Sequence, residues 1–196
     1  MKKNTLEKYF SNTLTIQKKT KPVKLLDGST VYVPKLGYRH METLRKMKKA
    51  DDMINFIAND ILKGKKVLPV EVDLVLTHLF FFNDESAIKL IEANEINLDE
   101  LKMTDPVYEF TFDNMKLIFS KPDIYRFNLI ELLDTVYVDG EKIELTPELK
   151  ESILDELYVY ELKEVKSAIM QELYIIHNGK KISGFDIMDL DSFKGE

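Results

Sequence analysis

Histidine and cysteine are the residues that most often bind transition metals, and this chain of 196 residues has three His and no Cys. His40, His78 and His177 lie far apart, and none belongs to a spacing such as H-x-x-x-H or H-E-x-x-H. The absence of Cys excludes disulfide scaffolds, Cys-ligated zinc, iron–sulfur clusters and thiol nucleophiles. We therefore expect neutral histidines at the surface or in the core, and no metal site.

Carboxylates are the second group that could do chemistry. Asp186, Asp189 and Asp191 follow a D-x-x-D-x-D pattern that is superficially like a calcium loop. The pattern lacks the central Gly and the terminal bidentate Glu of such a loop, so a solvated acidic tail is the better interpretation. Adjacent acids also occur, but neighbours in sequence diverge by ~100° on a helix and point to opposite faces of a strand. None of them forms a natural general acid/base pair.

Motifs for nucleophiles and phosphates are missing as well. The sequence has no G-x-S-x-G, and Gly64-Lys65-Lys66 lacks both the upstream Gly and the Ser/Thr of a phosphate-binding loop. No window approaches the ~20 apolar residues of a membrane span. No apolar stretch follows the N-terminal lysines, so we expect no signal peptide. The residues predict a protein that is not an enzyme and takes no cofactor.

Charge is distributed unevenly along the chain. Residues 1–50 hold 13 Lys and Arg against 3 Asp and Glu, a balance of +10, whereas the other 146 residues hold 15 against 31, a balance of −16. The first 22 residues have few periodic apolar positions, which predicts a basic, loosely ordered arm. Within it, Lys18, Lys19 and Lys21 are candidate contacts for a partner. The arm could also lie against the acidic body of its own fold.

Nucleic acid is a less favoured ligand for this arm. Phosphate neutralisation would need a cluster of lysines of this kind. However, the arm contains no Arg, the usual base-reading residue, and a body of net charge −16 would repel a polyanion. A small nucleic-acid-associated regulator therefore stays an alternative, and nucleic-acid binding is the less expected outcome.

Turn signals and apolar periodicity predict the secondary structure. Four dipeptides indicate hairpins, namely Asp27-Gly28, Asp113-Asn114, Asp139-Gly140 and Asn178-Gly179. Helical spacing predicts helices over residues 38–62, 69–82, 86–93, 124–133, 146–157 and 159–171, with Pro69 and Thr146-Pro147 as start signals. The predicted fold class is α+β, mainly helical with several short antiparallel β-hairpins. The predicted divisions are a basic arm (1–22), a hairpin–helices–hairpin core (23–145), and C-terminal helices with a final hairpin (146–196).

Phe80, Phe81 and Phe82 form a run at the end of one predicted helix. They cannot all face one core, because successive helical side chains turn by ~100°. Either at least one ring is exposed and anchors a partner, or this end of the helix is buried on all sides. Both interpretations stay open, and all three residues are candidate partner contacts.

The order of elements resembles a known family. Three segments carry most of the similarity: PKLGYRHMETLRKM before the first helices, INLDELKMTDP before the middle strands, and DIMDLDSF in the closing segment. This arrangement resembles the baseplate hub assembly proteins of T-even-like tailed bacteriophages over most of residues 21–193. Some relatives, as the resemblance suggests, carry Cys pairs around the final hairpin that read as a zinc ribbon. Residues 176–184 contain no thiol here, so the resemblance carries over no metal.

The resemblance implies a function in protein–protein contacts. The chain would be a component of the baseplate hub, or a chaperone-like factor that assembles it, and its partners would be other hub or tail proteins. It would act in the cytoplasm of the infected host during contractile-tail assembly, or stay in the virion baseplate. A different tail-completion or head–tail joining protein of the same origin is a further alternative.

Overall fold

The fold is taken from a computed structural model that describes residues 19–37, 40, 42, 46, 52 and 55–193. It begins with an antiparallel hairpin of β1 (Thr20–Lys24) and β2 (Thr30–Pro34). Gly28 has a φ of 80°, which confirms the turn predicted from Asp27-Gly28. Side chains of the two strands point alternately to opposite faces, and Val23, Val31 and Val33 are buried on the inner face. Lys18 and most of the helix predicted over residues 38–62 lie outside the described residues.

Helices α1 (Pro69–Asn83) and α2 (Glu85–Ala93) follow a π-helical turn at Ile57–Ile61. Pro69 begins α1 as predicted, since its missing N–H costs nothing in the first turn. Apolar residues surround α1 on nearly every side, so the helix lies in the centre of the packing. The Asp84 carboxylate accepts a hydrogen bond from the backbone N–H of Ala87 at 2.9 Å and so starts α2.

A three-stranded antiparallel sheet joins distant parts of the chain, in the order β3 (Lys102–Met103), β8 (Leu173–His177), β9 (Lys180–Ser183). The β8–β9 hairpin turns at Asn178-Gly179, with φ values of 50° and 77°, as predicted. Short 3₁₀ helices at Leu98–Glu100, Gly184–Met188 and Leu190–Phe193 border this sheet in the sequence.

A second sheet has four antiparallel strands in sequence order, β4 (Glu109–Phe112), β5 (Met115–Phe119), β6 (Leu133–Val138) and β7 (Glu141–Ile143). The remaining helices are α3 (Leu129–Leu132), α4 (Pro147–Asp155) and α5 (Val159–Met170). The Thr146 hydroxyl accepts the N–H of Leu149 at 3.2 Å, which confirms the predicted helix start.

Two hydrophobic cores divide these elements. The first core draws its buried residues from 23–98, 124 and 173–193. The second core draws them from residues 117–169. The four-stranded sheet and α3–α5 are thus inserted between β3 and β8, which pair with each other in the first part. Both connections of the insertion lie side by side, since Thr104 N–H donates to the Glu172 carbonyl at 3.0 Å.

Two sequence-based predictions of secondary structure are wrong. The fold is not mainly helical, because nine strands in three antiparallel sheets organise the described residues. The helix predicted over residues 124–133 is only the single turn α3, and Leu133 already begins β6. The ladder with β5 and burial in the second core outweigh the helical spacing of this apolar stretch.

Candidate functional site

The phenylalanine run closes the C-terminal end of α1. Phe81 is 2% exposed in the first core, and its ring meets that of Phe80 edge-on, with centroids 5.2 Å apart. Phe80 and Phe82 are half-buried against the same core. The ammonium of Lys35 lies 5.3 Å from the centroid of the Phe82 ring and donates to the Phe82 carbonyl. A role of these three rings in partner binding stays a prediction.

The described lysines of the basic segment lie at the start of β1. Lys19 is exposed, and its carbonyl accepts the N–H of Lys35 at 2.8 Å. Lys21 is half-buried in β1 opposite Val33. These contacts place the last residues of the segment in a hairpin. Their role in partner binding stays a prediction.

His78 is the one buried histidine among the described residues. Burial, with a smaller contribution from the charge of Lys21, lowers its pKa to about 4, so the ring is neutral at pH 7. Its Nδ1 has no hydrogen-bond partner within the described part of the chain. His40 and His177 lie elsewhere, beside Phe56 and Phe193 respectively. A group of three or more His, Cys, Asp or Glu that could hold a metal ion does not occur in the described ranges.

Among the described residues, the most exposed cluster of consecutive apolar side chains lies at the start of α5. Tyr158, Val159 and Tyr160 are 69%, 69% and 65% exposed, and we call these three residues the aromatic ridge. The two tyrosine rings are stacked, with centroids 5.6 Å apart and planes only 9° from parallel. Aromatic pairs in a stacked arrangement attract each other, so the two rings together form one continuous apolar surface.

The ridge exists because α5 extends beyond the second core. Val165 and Ile169 are fully buried and Leu162 is half-buried, at the three- and four-residue spacing of one helix face. Val159 lies on the same face one turn earlier, where no core residue covers it. The Glu161 carboxylate accepts the N–H of Tyr158 at 2.8 Å, which fixes the start of the helix.

Beside the ridge, acidic residues outnumber basic ones, of which Lys163 is the nearest in α5. Asp155 and Glu156 are exposed just before it, and Glu161 and Glu164 follow within α5. Tyrosine is enriched at protein interfaces, and an apolar cluster with a polar rim is typical of a binding surface. A complementary partner would offer an apolar pocket with basic groups at its edge.

Sequence reasoning missed the ridge for a physical reason. The helix at residue 159 was expected, but the pattern does not reveal where the core beneath a helix ends. The available signal is Tyr160, because a residue two positions before Leu162 falls on nearly the opposite side of the helix from it.

Within the ranges that the structure describes, no helix combines the length and apolarity required to cross a bilayer.

Comparison of the chain with protein-family models, with curated proteins and with solved structures found no match.

Proposed function

We propose that this protein is a non-enzymatic component or assembly factor of a contractile-tail baseplate hub, which acts through protein–protein contacts. One observation supports the contact mechanism, the exposure of the aromatic ridge formed by Tyr158, Val159 and Tyr160. The assignment to a phage tail is supported by the resemblance in the order of sequence elements.

The ridge fits an interaction role better than a stabilising one. Its side chains contribute little to the second core because each is more than half exposed. Burying a stacked pair of tyrosines against a partner would instead remove a large apolar area from water at low entropic cost. Burial of the ridge therefore lowers the free energy mainly when a complex forms.

The two-part architecture suits an assembly factor. The insertion carries the ridge on its own core, while the first core holds the N-terminal hairpin and the end of the described chain. One surface can thus bind a tail protein while the rest of the molecule stays available for a second contact. The final hairpin packs through the buried residues Ile175 and Ile182.

Affinity purification from infected cells tests the proposal. The full chain with a terminal tag is purified during assembly, and its associated proteins are identified by mass spectrometry. We expect hub or tail proteins to copurify. Recovery of none of them, with the bait folded and expressed, would overturn the proposed function.

A matched pair of variants assigns the contact to the ridge. Tyr158→Ser with Tyr160→Ser removes both stacked rings, whereas Tyr125→Ser removes an exposed ring in the turn at residues 123–126. The first variant is expected to lose the tail proteins and the second to keep them. Equal recovery with all three baits would show that the ridge is not the contact.

A further inference from the structure

A cleft of 740 Å³ lies where the insertion joins the rest of the molecule. Its lining comes from both sides of this junction, at residues 24–26, 68, 74, 101–106, 108, 121, 171 and 174. Ligand sites occur preferentially at such boundaries between packed units, and this volume lies within their usual range of roughly 300–1,000 Å³.

The charge of the cleft is opposite to that of the whole chain. Three lysines line it, Lys24, Lys102 and Lys121, against the single carboxylate of Asp105. The chain as a whole has a formal net charge of −6. Because the three lysines come from segments far apart in the sequence, the fold concentrates positive charge here. An occupant with negative groups is favoured.

The floor of the cleft is apolar. Leu25, Leu68 and Leu74 are buried residues of the first core that also contribute to the lining. Met103 and Tyr108 are half-buried beside them. A small inorganic anion would leave this apolar surface without a partner, whereas a peptide with apolar side chains would cover it.

Both residues of β3 line the cleft, and β3 is an edge strand. β3 is the terminal strand of the β3–β8–β9 sheet, and among the described residues no strand pairs with its other side. The Thr104 N–H donates to the Glu172 carbonyl, so by the antiparallel alternation the N–H and C=O of Met103 point away from β8. An unpaired edge of this kind can receive an extended peptide as an additional strand.

Hydrogen bonds fix the chain directly after β3, at Thr104, to residues 171 and 172. Gln171 has φ 60° and ψ 166°, a backbone conformation that strains any residue with a Cβ. Its side-chain amide donates to the Thr104 carbonyl at 2.6 Å, and the Thr104 hydroxyl accepts the Glu172 N–H at 2.8 Å. These bonds fix both chain connections between the insertion and the rest of the molecule. The cleft is therefore preformed, and ligand binding loses little entropy in ordering it.

We propose that this cleft binds an extended peptide segment of a partner protein in which acidic and apolar side chains alternate. The peptide backbone pairs with the free edge of β3, its acidic side chains lie near Lys24, Lys102 and Lys121, and its apolar side chains cover the leucine floor. Alternation matches the period of two that an added strand requires. The inference rests on the cleft and does not depend on the aromatic ridge or on the phage assignment.

Fluorescence anisotropy with a defined peptide tests the inference. The probe is a fluorescein-labelled peptide of about eight residues, (Glu-Leu-Asp-Val) repeated, which spans ~26 Å when extended. Saturable binding to the full chain at low salt, weakened by added NaCl, is expected. Lack of binding up to about 1 mM, or equal binding of a (Lys-Leu-Lys-Val) repeat, would overturn the inference.

Charge-reversal variants locate the binding. Lys102→Glu with Lys121→Glu is expected to weaken the acidic peptide about tenfold or more. Lys89→Glu with Lys142→Glu makes the same change in net charge at exposed positions outside the cleft lining and is expected to change affinity less than twofold. Equal weakening by both pairs would mean that net charge alone attracts the peptide, and would overturn the site.

Backbone chemistry separates strand addition from simple charge attraction. The same acidic peptide with N-methyl groups on alternate residues keeps its side chains but cannot form one row of strand hydrogen bonds. A loss of binding with only one of the two N-methyl registers supports pairing with β3. Full retention in both registers, or displacement of the unmodified peptide by an equal concentration of inorganic phosphate, would overturn the proposed binding mode.

Discussion

The carboxylate of Glu71 accepts the backbone N–H of Leu26 at 2.8 Å, across 45 positions of the chain. Its other oxygen accepts the N–H of Leu68 at the start of α1, also at 2.8 Å. Glu71 is only 5% exposed, so it is one of the few buried charged side chains described. One residue thus connects the N-terminal hairpin to the first turn of α1, and both residues that donate to it line the cleft.

Removal of this carboxylate is expected to destabilise the fold. Glu71→Ala leaves two backbone N–H groups without their acceptor, and at least one of them is buried. The free energy of unfolding should fall by about 2–4 kcal/mol, since bonds to charged groups contribute more than neutral ones. Urea titration followed by circular dichroism measures the change.

Glu71→Gln is the matched control, because it keeps the shape and one acceptor oxygen. We expect it to lose clearly less stability than Glu71→Ala. Equal stability of the alanine variant and the wild type would show that the two hydrogen bonds do not hold the hairpin to α1.

Asp73 and His78 on α1 are expected to give opposite dependences of stability on pH. Burial raises the pKa of Asp73 from 3.8 to about 6, so folding favours its protonated form and stability is lost as pH rises from about 4 to 6. Burial lowers the pKa of His78 from 6.5 to about 4, so stability is lost as pH falls through the same window. The two contributions partly cancel in the wild type.

Single substitutions separate the two contributions. Asp73→Asn should be more stable than the wild type at pH 7.5 by about 1–3 kcal/mol, with a smaller difference at pH 4. Its stability should fall more steeply on acidification, because the effect of His78 is then unopposed. His78→Leu should show the reverse slope. Urea midpoints at several pH values test both, and parallel profiles for all three proteins would contradict this account.

Gln171 offers a test of stored backbone strain. Gln171→Ala and Gln171→Gly both remove the hydrogen bond to Thr104, but only glycine adopts φ 60° with ψ 166° freely. We expect the glycine variant to be about 1 kcal/mol more stable than the alanine variant. Thermal unfolding of the two proteins compares them directly. A more stable alanine variant would show that this backbone conformation is not maintained in solution.

The sequence was most informative about local turns. Asp27-Gly28 and Asn178-Gly179 adopt the positive φ angles that their residue types favour, so both hairpins were predicted with their turns in place. The spacing around Pro69 and Thr146 likewise predicted the starts of two helices. These signals need only a few neighbouring residues.

Long-range pairing could not be predicted in the same way. β3 is only Lys102–Met103, and it becomes a strand because β8 pairs with it 70 residues later. The insertion between them, the cleft and the edge of β3 follow from that single pairing. The ridge was equally hidden, because its exposure depends on where the second core ends. The basic arm and the phenylalanine run, which the sequence made prominent, stay predictions as partner contacts.

The stacked tyrosines of the ridge are expected to matter for binding and not for stability. Tyr158→Ser with Tyr160→Ser removes mainly exposed surface, so the free energy of unfolding should change by less than about 1 kcal/mol. Urea titration of the double variant beside Tyr125→Ser tests this. A large loss of stability confined to the double variant would indicate that the ridge packs within the fold and is not a free surface.

Site-specific photo-crosslinking in infected cells shows directly whether the aromatic ridge contacts a tail protein. A benzophenone amino acid is placed at position 160 in the ridge or at position 125 away from it, and crosslinked products are identified by mass spectrometry. We expect a crosslink from position 160 to a hub or tail protein and none from position 125. Absence of any tail protein crosslinked through position 160, with the protein folded and present during assembly, would contradict this expectation.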